Sequence, residues 1–297
     1  MKILITGSTG LVGSELIPLL LKDGNTVTRL TRSKSGFEED VAYWDPQAGE
    51  IDSGRLEGHG AVVHLAGENI AGRWTEEKKR KIEESRVKGT KLLSDALSSL
   101  DSKPSVIVAA SAIGYYGDRG DEVLTEESGA GEGFLAEVSV KWENALKPAI
   151  DAGIRVVNTR LGVVLSPEGG ALEKMLLPFK LGLGGKIGSG EQYWSWIALD
   201  DVAGAISHCI TTENLTGPVN LAAPDPVTNK KFTDTLGEVL GRPTLIPLPS
   251  FLAKGLLGEM ADELLLSSAR VKPVKLLESG YKFKYPALRA ALEHLLS

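Results

Sequence analysis

Three glycines, Gly7, Gly10 and Gly13, constrain what this chain can fold into more than any other feature. They follow Ile3, Leu4 and Ile5, an apolar run long enough for a strand buried on both faces. They precede an apolar periodicity (Leu16, Leu19, Leu20) that predicts a helix. Strand, glycine turn and helix start bring several backbone N–H groups and the positive end of a helix dipole to one point. Such an anion site suits the pyrophosphate of a dinucleotide. The glycines serve a tight turn, close approach of backbone to phosphate, and close packing of helix on strand.

The 297 residues suffice for one large domain, or for one domain with a smaller partner. A net charge of -6 argues against a nucleic-acid groove, for which a basic excess is expected. The one dense basic run, Lys78-Lys79-Arg80-Lys81, is flanked by Glu76, Glu77, Glu83 and Glu84 and reads as a solvated helix face. A single cysteine, Cys209, excludes an internal disulfide and reads as buried filler, and the dispersed histidines offer no metal cluster. Met1 leads directly into a core strand, without a signal-peptide pattern. No apolar run approaches the roughly 18 residues of a membrane span. The expectation is a cytoplasmic location with no membrane partner.

Strand-like segments at 26–31, 61–65, 105–110 and 155–160 alternate with helical ones at about 75–100 and 134–152. This alternation predicts an α/β protein: a doubly wound parallel sheet (Rossmann) with right-handed crossovers and helices on both faces. After Leu165 the pattern changes to the glycine-rich stretch 182–190 and to segments punctuated by Pro243, Pro247, Pro249, Pro273 and Pro286. A helix over 200–210, whose Asp200 and Asp201 suit its N-terminus, and a strand over 219–222 return to the sheet. The expected division is therefore a dinucleotide-binding Rossmann domain, 1–165 with 200–224. Residues 166–199 and 225–297 are expected to form a smaller C-terminal substrate domain over the edge where ligands of such folds bind.

The form of the nucleotide is read at the end of the second strand, which meets the adenosine ribose. An acid there accepts hydrogen bonds from the ribose hydroxyls, and a basic residue suits a 2′-phosphate. The strand ends Thr28-Arg29-Leu30-Thr31-Arg32-Ser33, then Lys34, and no acid follows until Glu38. Arg32 with Thr31 or Ser33 reads as a 2′-phosphate clamp, favouring NADP(H) over NAD(H); the alternative is a solvated surface arginine.

Further motifs run nearly end to end. They include Thr6–Gly13, Tyr43-Trp44-Asp45, His64-Leu65-Ala66-Gly67-Glu68-Asn69, Ser85-Arg86, Gly114-Tyr115-Tyr116-Gly117, Lys141-Trp142-Glu143, Arg160-Leu161-Gly162 and Trp196–Ala203. Together they resemble an atypical branch of the extended short-chain dehydrogenase/reductases: the NAD-dependent epimerase/dehydratase-like proteins with their own C-terminal domain. The resemblance implies that Gly7, Thr9, Gly10, Leu11, Val12 and Gly13 hold the pyrophosphate and Thr31 and Arg32 the adenosine end. It implies Asp45 beside the adenine amine, and Leu65, Ala66 and Gly67 lining the cofactor with backbone atoms. Val164 would approach the nicotinamide ribose. Arg86 would face the NADP phosphates, the alternative being a helix-surface ion pair with Glu83 or Glu84.

Ordinary members of that superfamily move a proton with a Tyr and a Lys four residues later on one helix. The corresponding helix here, 133–143, has no tyrosine. One register puts Leu135 and Ser139 in those places; the other puts Glu137 at the tyrosine position, with Lys141 as the lysine. The strand-end serine position falls at Ala112, with Ser111 one residue earlier. Trp194 and Ser195 replace the Arg-Asp pair of sugar-nucleotide enzymes, which makes a nucleotide sugar a poor expectation. Tyr115, Tyr116, Ser111 and Lys141 are the candidate catalytic residues. Glu68, Asn69, Tyr193, Trp194 and Trp196 are candidates for a substrate pocket, with Trp74 adding to an aromatic wall; core packing is the competing use of these tryptophans. Two function classes follow. One is an NADP(H)-binding oxidoreductase or epimerase-like enzyme acting on a small molecule; the other is a non-catalytic NADP(H)-sensing or scaffold protein. The sequence leaves the oligomeric state undetermined.

Overall fold

Each apolar run of the first half becomes a strand in the computed structural model, which describes residues 1–33 and 40–297. Lys34 and Glu38, which entered the reading of the ribose end, lie outside the described residues. The order begins β1 (Lys2–Thr6), α1 (Leu11–Lys22), β2 (Thr26–Thr31), β3 (Val41–Asp45), β4 (Glu50–Ile51), β5 (Ala61–His64), α2 (Glu76–Ser98) and β6 (Val106–Ala112). It continues with β7 (Val123–Leu124), α3 (Phe134–Asn144), α4 (Lys147–Asp151), β8 (Arg155–Leu161), β9 (Val163–Ser166) and α5 (Gly170–Lys180). Then come β10 (Tyr193–Trp194), β11 (Trp196–Ala198), α6 (Leu199–Thr211), β12 (Gly217–Leu221), β13 (Val227–Thr228) and α7 (Asn229–Leu240). The chain closes with α8 (Ser250–Leu257), β14 (Arg270–Val271), α9 (Val274–Glu278) and α10 (Leu288–Leu295).

The main sheet has eight strands in the order β12-β8-β6-β5-β1-β2-β3-β4, all parallel except the β3–β4 hairpin. The chain winds outward from β1 through β2 to β3, then returns to the other side of β1 and winds through β5, β6, β8 and β12. The reversal falls between β1 and β5, so the loops leaving these strands diverge and open a crevice at their C-terminal ends. Both faces are covered. Ile3, Ile5 and Val63 pack with Leu16 and Leu20 of α1 and Ile206 of α6; Leu4 and Val62 pack with Leu93 and Leu97 of α2.

Two differences from the sequence reading have physical causes. The helix expected over 134–152 is two helices, because Pro148 lacks an N–H and fits only the first turn of α4. Val41–Asp45, read only as a motif, is a strand whose side chains alternate between half-buried and buried, a weaker signal than a continuous apolar run. No described helix is long and apolar enough to cross a membrane.

Fully buried Asp201 in α6 fixes the C-terminal tail. It accepts Lys284 N at 2.7 Å, Tyr285 N at 2.9 Å and the Tyr281 hydroxyl at 3.1 Å. Removing the carboxylate strands the two backbone donors, while the Tyr281 hydroxyl keeps the Asp201 carbonyl at 3.0 Å. Asp201→Ala is therefore expected to lower the unfolding free energy by about 3 kcal/mol in urea denaturation, and a negligible change would contradict this role.

Candidate functional site

The glycine loop follows Thr6 directly. Gly7 has φ of 68°, and a Cβ there would lie 2.8 Å from the Leu65 carbonyl carbon, so a side chain is excluded by both conformation and space. A Cβ on Gly13 would lie 2.9 Å from Ser8 Cα and run into the Gly7 carbonyl oxygen. Gly10 caps α1 without a side-chain hydrogen bond, and the first turn holds no acid, so the leading N–H groups of α1 remain available to an anion. Thr9 is exposed beside them. Val12, Leu65 and Val164, expected along one cofactor, pack against the same core cluster. A Cβ on Gly169 would lie 3.3 Å from Leu11 Cδ1, so the start of α5 comes close to the loop.

Behind the loop runs a polar string that the sequence reading missed. Thr6 Oγ1 accepts Leu65 N and Ala66 N, each at 3.1 Å, so its own proton goes to His64 Nδ1 at 2.7 Å. His64 must then carry its proton on Nε2, which donates to Thr90 Oγ1 at 2.9 Å; Trp142 Nε1 donates to the same oxygen at 2.9 Å. Burial lowers the His64 pKa from 6.5 to about 4, consistent with the neutral ring this arrangement requires. The string joins β1, β5, α2 and α3, and fixes where Leu65-Ala66-Gly67 leaves the sheet.

Arg86 reaches that exit from α2. Its Nη1 donates to the carbonyls of Glu68 and Ile82, each at 3.1 Å, and a Cβ on Gly67 would lie 3.5 Å from its Cζ. Desolvation lowers its pKa to about 10, against the pull of Glu68, so it stays charged at neutral pH. It pairs with neither Glu83 nor Glu84, which bind Lys141 and Lys88 instead. Asp45 turns inward to accept Gln47 N at 2.9 Å and Ala48 N at 3.2 Å. Thr31 Oγ1 lies 3.5 Å from the Ser33 carbonyl, and Arg32 is exposed just beyond β2.

A second polar cluster crosses the ends of β6, β8 and β12, where Ser111, Arg160 and Asn220 stand side by side in register. Arg160, 3% exposed, grips Glu143 of α3 through Nε at 2.8 Å and Nη2 at 2.9 Å. Its Nη1 donates to the Tyr116 hydroxyl at 3.0 Å, and the guanidinium lies 3.4 Å from the Tyr115 ring centroid. Ser111 Oγ donates to Glu143 at 2.7 Å, and Tyr116 donates to Asn220 Oδ1 at 2.7 Å. Desolvation opposes the Arg160 charge, but Glu143 and Tyr116 outweigh it and the pKa is raised. A charge in a strand buried on both faces needs a partner. That rule, applied to Arg160, calls for an acid beside it without saying which one.

Several candidate residues are placed otherwise than expected. Tyr116 is fully buried and saturated by Arg160 and Asn220, and burial raises its pKa; it is a strut. Lys141 lies on the outer face of α3, bridged to Glu83 at 3.0 Å. Trp194 packs on Phe232, and Trp196 is fully buried with Nε1 donating to the Asp225 carbonyl, so both belong to the core under α5, α7 and α10. Trp74 is likewise buried, against Phe134. Only Tyr193 of the expected aromatic wall stays half-buried, beneath Arg270 at 4.7 Å. Glu68 is bound by Lys78 at 2.6 Å, and Asn69 accepts Ala71 N, so both are engaged locally. The basic run is also tied down, with Lys79 bridging to Glu259 at 3.0 Å.

Tyr115 remains half-buried and clamped on Arg160. In α3, Leu135 stands at one of the two positions read for the absent tyrosine, and a Cβ on Gly114 would lie 3.1 Å from its Cβ. Glu263 closes that end by accepting Phe134 N at 2.8 Å and Leu135 N at 3.0 Å.

Residues 3–222 match the NAD dependent epimerase/dehydratase family, and residues 248–295 match a domain of unknown function, DUF1731. The chain is 44% identical over 289 residues to the epimerase family protein Mb2239 of Mycobacterium bovis, covering 97% of this chain and 95% of that one. The crystal structure of human epimerase family protein SDR39U1 (isoform 2) with NADPH is similar at a TM-score of 0.91 and 36% identity, covering 99% of each chain. A nucleoside-diphosphate sugar epimerase from Corynebacterium glutamicum gives a TM-score of 0.82 at 37% identity, covering all of this chain and 58% of that one. The chain belongs to the NAD dependent epimerase/dehydratase family.

The depressed His64 pKa has a measurable consequence. Between pH 6.5 and about 4 the unfolded chain binds a proton at this residue that the folded chain does not. Its stabilising contribution is therefore full above pH 6.5 and is lost on acidification, by about 3 kcal/mol once pH 4 is reached. Urea denaturation of the wild type and of His64→Gln across this range should give curves that converge toward acid; parallel curves would contradict a buried neutral histidine.

Proposed function

We propose that this protein binds NADP(H) in the crevice between the loops after β1 and β5, and acts there as an oxidoreductase or epimerase-like enzyme on a small molecule without the Tyr–Lys pair of its superfamily. The observation that carries this reading is the glycine cradle, where Gly7 and Gly13 have no room for a Cβ and the first N–H groups of α1 carry no side-chain cap. Residues Gly7 through Gly13 would hold the pyrophosphate, with Leu65, Ala66 and Gly67 along its other side. Arg86, charged and beside Gly67, suits the phosphates; Thr31 and Arg32 suit a 2′-phosphate; Asp45 would sit beside the adenine amine. Val164 would meet the nicotinamide ribose. The NADPH in the human relative supports the phosphorylated form.

When bound, the dinucleotide supplies or accepts a hydride. This chain's residues hold it, exclude water and handle the matching proton at the substrate oxygen. Tyr115 is the group assigned to that proton, because Tyr116 and Ser111 are already committed to other partners and Lys141 faces outward. Residues 1–165 with 200–224 form the nucleotide-binding unit in this reading, and 166–199 with 225–297 close over the substrate. The non-catalytic sensor is the competing reading, favoured by the way Ser111, Glu143, Arg160 and Tyr116 satisfy one another.

Fluorescence titration with NADPH and NADH tests the cofactor assignment. The wild type should prefer NADPH by about tenfold or more, Arg32→Asp should remove the preference, and Gly13→Val should abolish binding of both. Unchanged preference in Arg32→Asp would overturn the 2′-phosphate clamp. Single-turnover oxidation of bound NADPH by a panel of aldehydes and ketones separates the two classes: oxidation lost in Tyr115→Phe supports the enzyme, and no oxidation by any of them favours the sensor.

A further inference from the structure

A run of exposed apolar side chains lies outside the glycine loop and the Arg160 cluster. Residues 182–188 run beside 243–248, joined by Ile246 N to the Gly184 carbonyl at 3.3 Å, Leu248 N to the Lys186 carbonyl at 2.9 Å and Gly188 N to the Leu248 carbonyl at 2.9 Å. The first segment continues directly from α5, and α8 begins two residues after the second. These segments present large apolar side chains to solvent: Leu245 is 83% exposed, Phe251 70%, Leu177 68% and Leu256 68%, and Leu181 and Leu183 are exposed as well. Of the side chains of α8, only Ala253 is buried. Isolated exposed leucines need no explanation; a contiguous set does.

Charge decides what such a surface fits. Residues 174–190 and 241–258 contain Lys174, Lys180, Lys186, Arg242 and Lys254, and not one Asp or Glu, in a chain whose net charge is -6. Lys254 is bridged to Asp262 at 2.7 Å, whereas Lys174, Lys180 and Arg242 make no ion pair among the described residues. Asp234 and Glu238, which line one cavity with Arg242, are already taken by Lys230 and Arg289. Two copies meeting through this face would oppose like charges. An apolar surface studded with free cations instead matches the boundary of a bilayer, where side chains such as Phe and Leu enter the acyl region and lysines and arginines meet anionic headgroups.

We infer that the face formed by the end of α5, the strip 243–248 and α8 docks the protein reversibly on anionic lipid bilayers. The chain lies on the surface rather than crossing it. The inference stands apart from the cofactor reading, because no residue of the face belongs to the glycine loop or to the Arg160 cluster.

Flotation of the full chain with vesicles of phosphatidylcholine alone, or of phosphatidylcholine with phosphatidylglycerol, tests it. Binding is expected to the anionic vesicles and not to the neutral ones, and to weaken as salt is raised. Lys180→Gln and Arg242→Gln should each weaken it about fivefold. Phe251→Ser with Leu256→Ser should abolish it; both side chains are exposed, so an unchanged melting temperature and unchanged NADPH titration are expected for these variants. No flotation with anionic vesicles, or equal flotation with neutral ones, overturns the inference. So does sedimentation showing a wild-type dimer that Phe251→Ser with Leu256→Ser converts to monomer, because the face would then be covered by a second copy.

Discussion

The rest of the structure depends on one close approach, that of the Gly7 backbone to the Leu65 carbonyl at the point where β1 and β5 part. A side chain of any size at Gly7 would push these loops apart and close the space between them. The approach is held from behind by Thr6, whose single hydroxyl takes two amides of the β5 exit and gives its proton to His64. His64 passes the constraint to Thr90 and Trp142, so the glycine loop, α2 and α3 are set by one buried string. Arg86 stands on the same helix as Thr90, one turn earlier, and its position beside Gly67 follows from the same packing.

The Arg160 cluster is the second fixed point. Taking an arginine and a glutamate out of water is costly, and the pair persists because its donors and acceptors are used: two bonds from Arg160 to Glu143, one to Tyr116, and Ser111 Oγ sharing Glu143 Oε1 with Arg160 Nε. Loss of either partner would leave an uncompensated buried charge, at a cost of about 3–5 kcal/mol. The arrangement holds the ends of β6, β8 and β12 at fixed spacing and gives Tyr115 a rigid, positively charged floor. In the expected chemistry of the superfamily a lysine on the α3 helix provides the cation; here the cation against Tyr115 comes from Arg160 of β8.

Much of this architecture was legible in the sequence because it rests on local rules. Continuous apolar runs gave β1, β5, β6 and β8, helical periodicity gave α1 and α2, and the glycine spacing gave the loop between them. Features that depend on pairing across distant segments were not legible. Ser111, Arg160 and Asn220 meet only because three strands align, and nothing in their neighbours announces it. Trp194 and Trp196 looked like pocket walls because tryptophan serves both walls and cores, and only the packing of α5, α7 and α10 decides between them. The exposed leucines of α5 and α8 have the periodicity of ordinary amphipathic helices; which face is covered is a property of the whole molecule.

The central claim is that the space between the loops after β1 and β5 is a dinucleotide site. A crystal structure of the protein with NADPH tests it most directly. The account predicts the pyrophosphate against the N–H groups of Leu11, Val12 and Gly13, with Arg86 and Arg32 turned toward the phosphates and Tyr115 facing the nicotinamide side. NADPH bound elsewhere, or bound here with the pyrophosphate away from the start of α1, would contradict it.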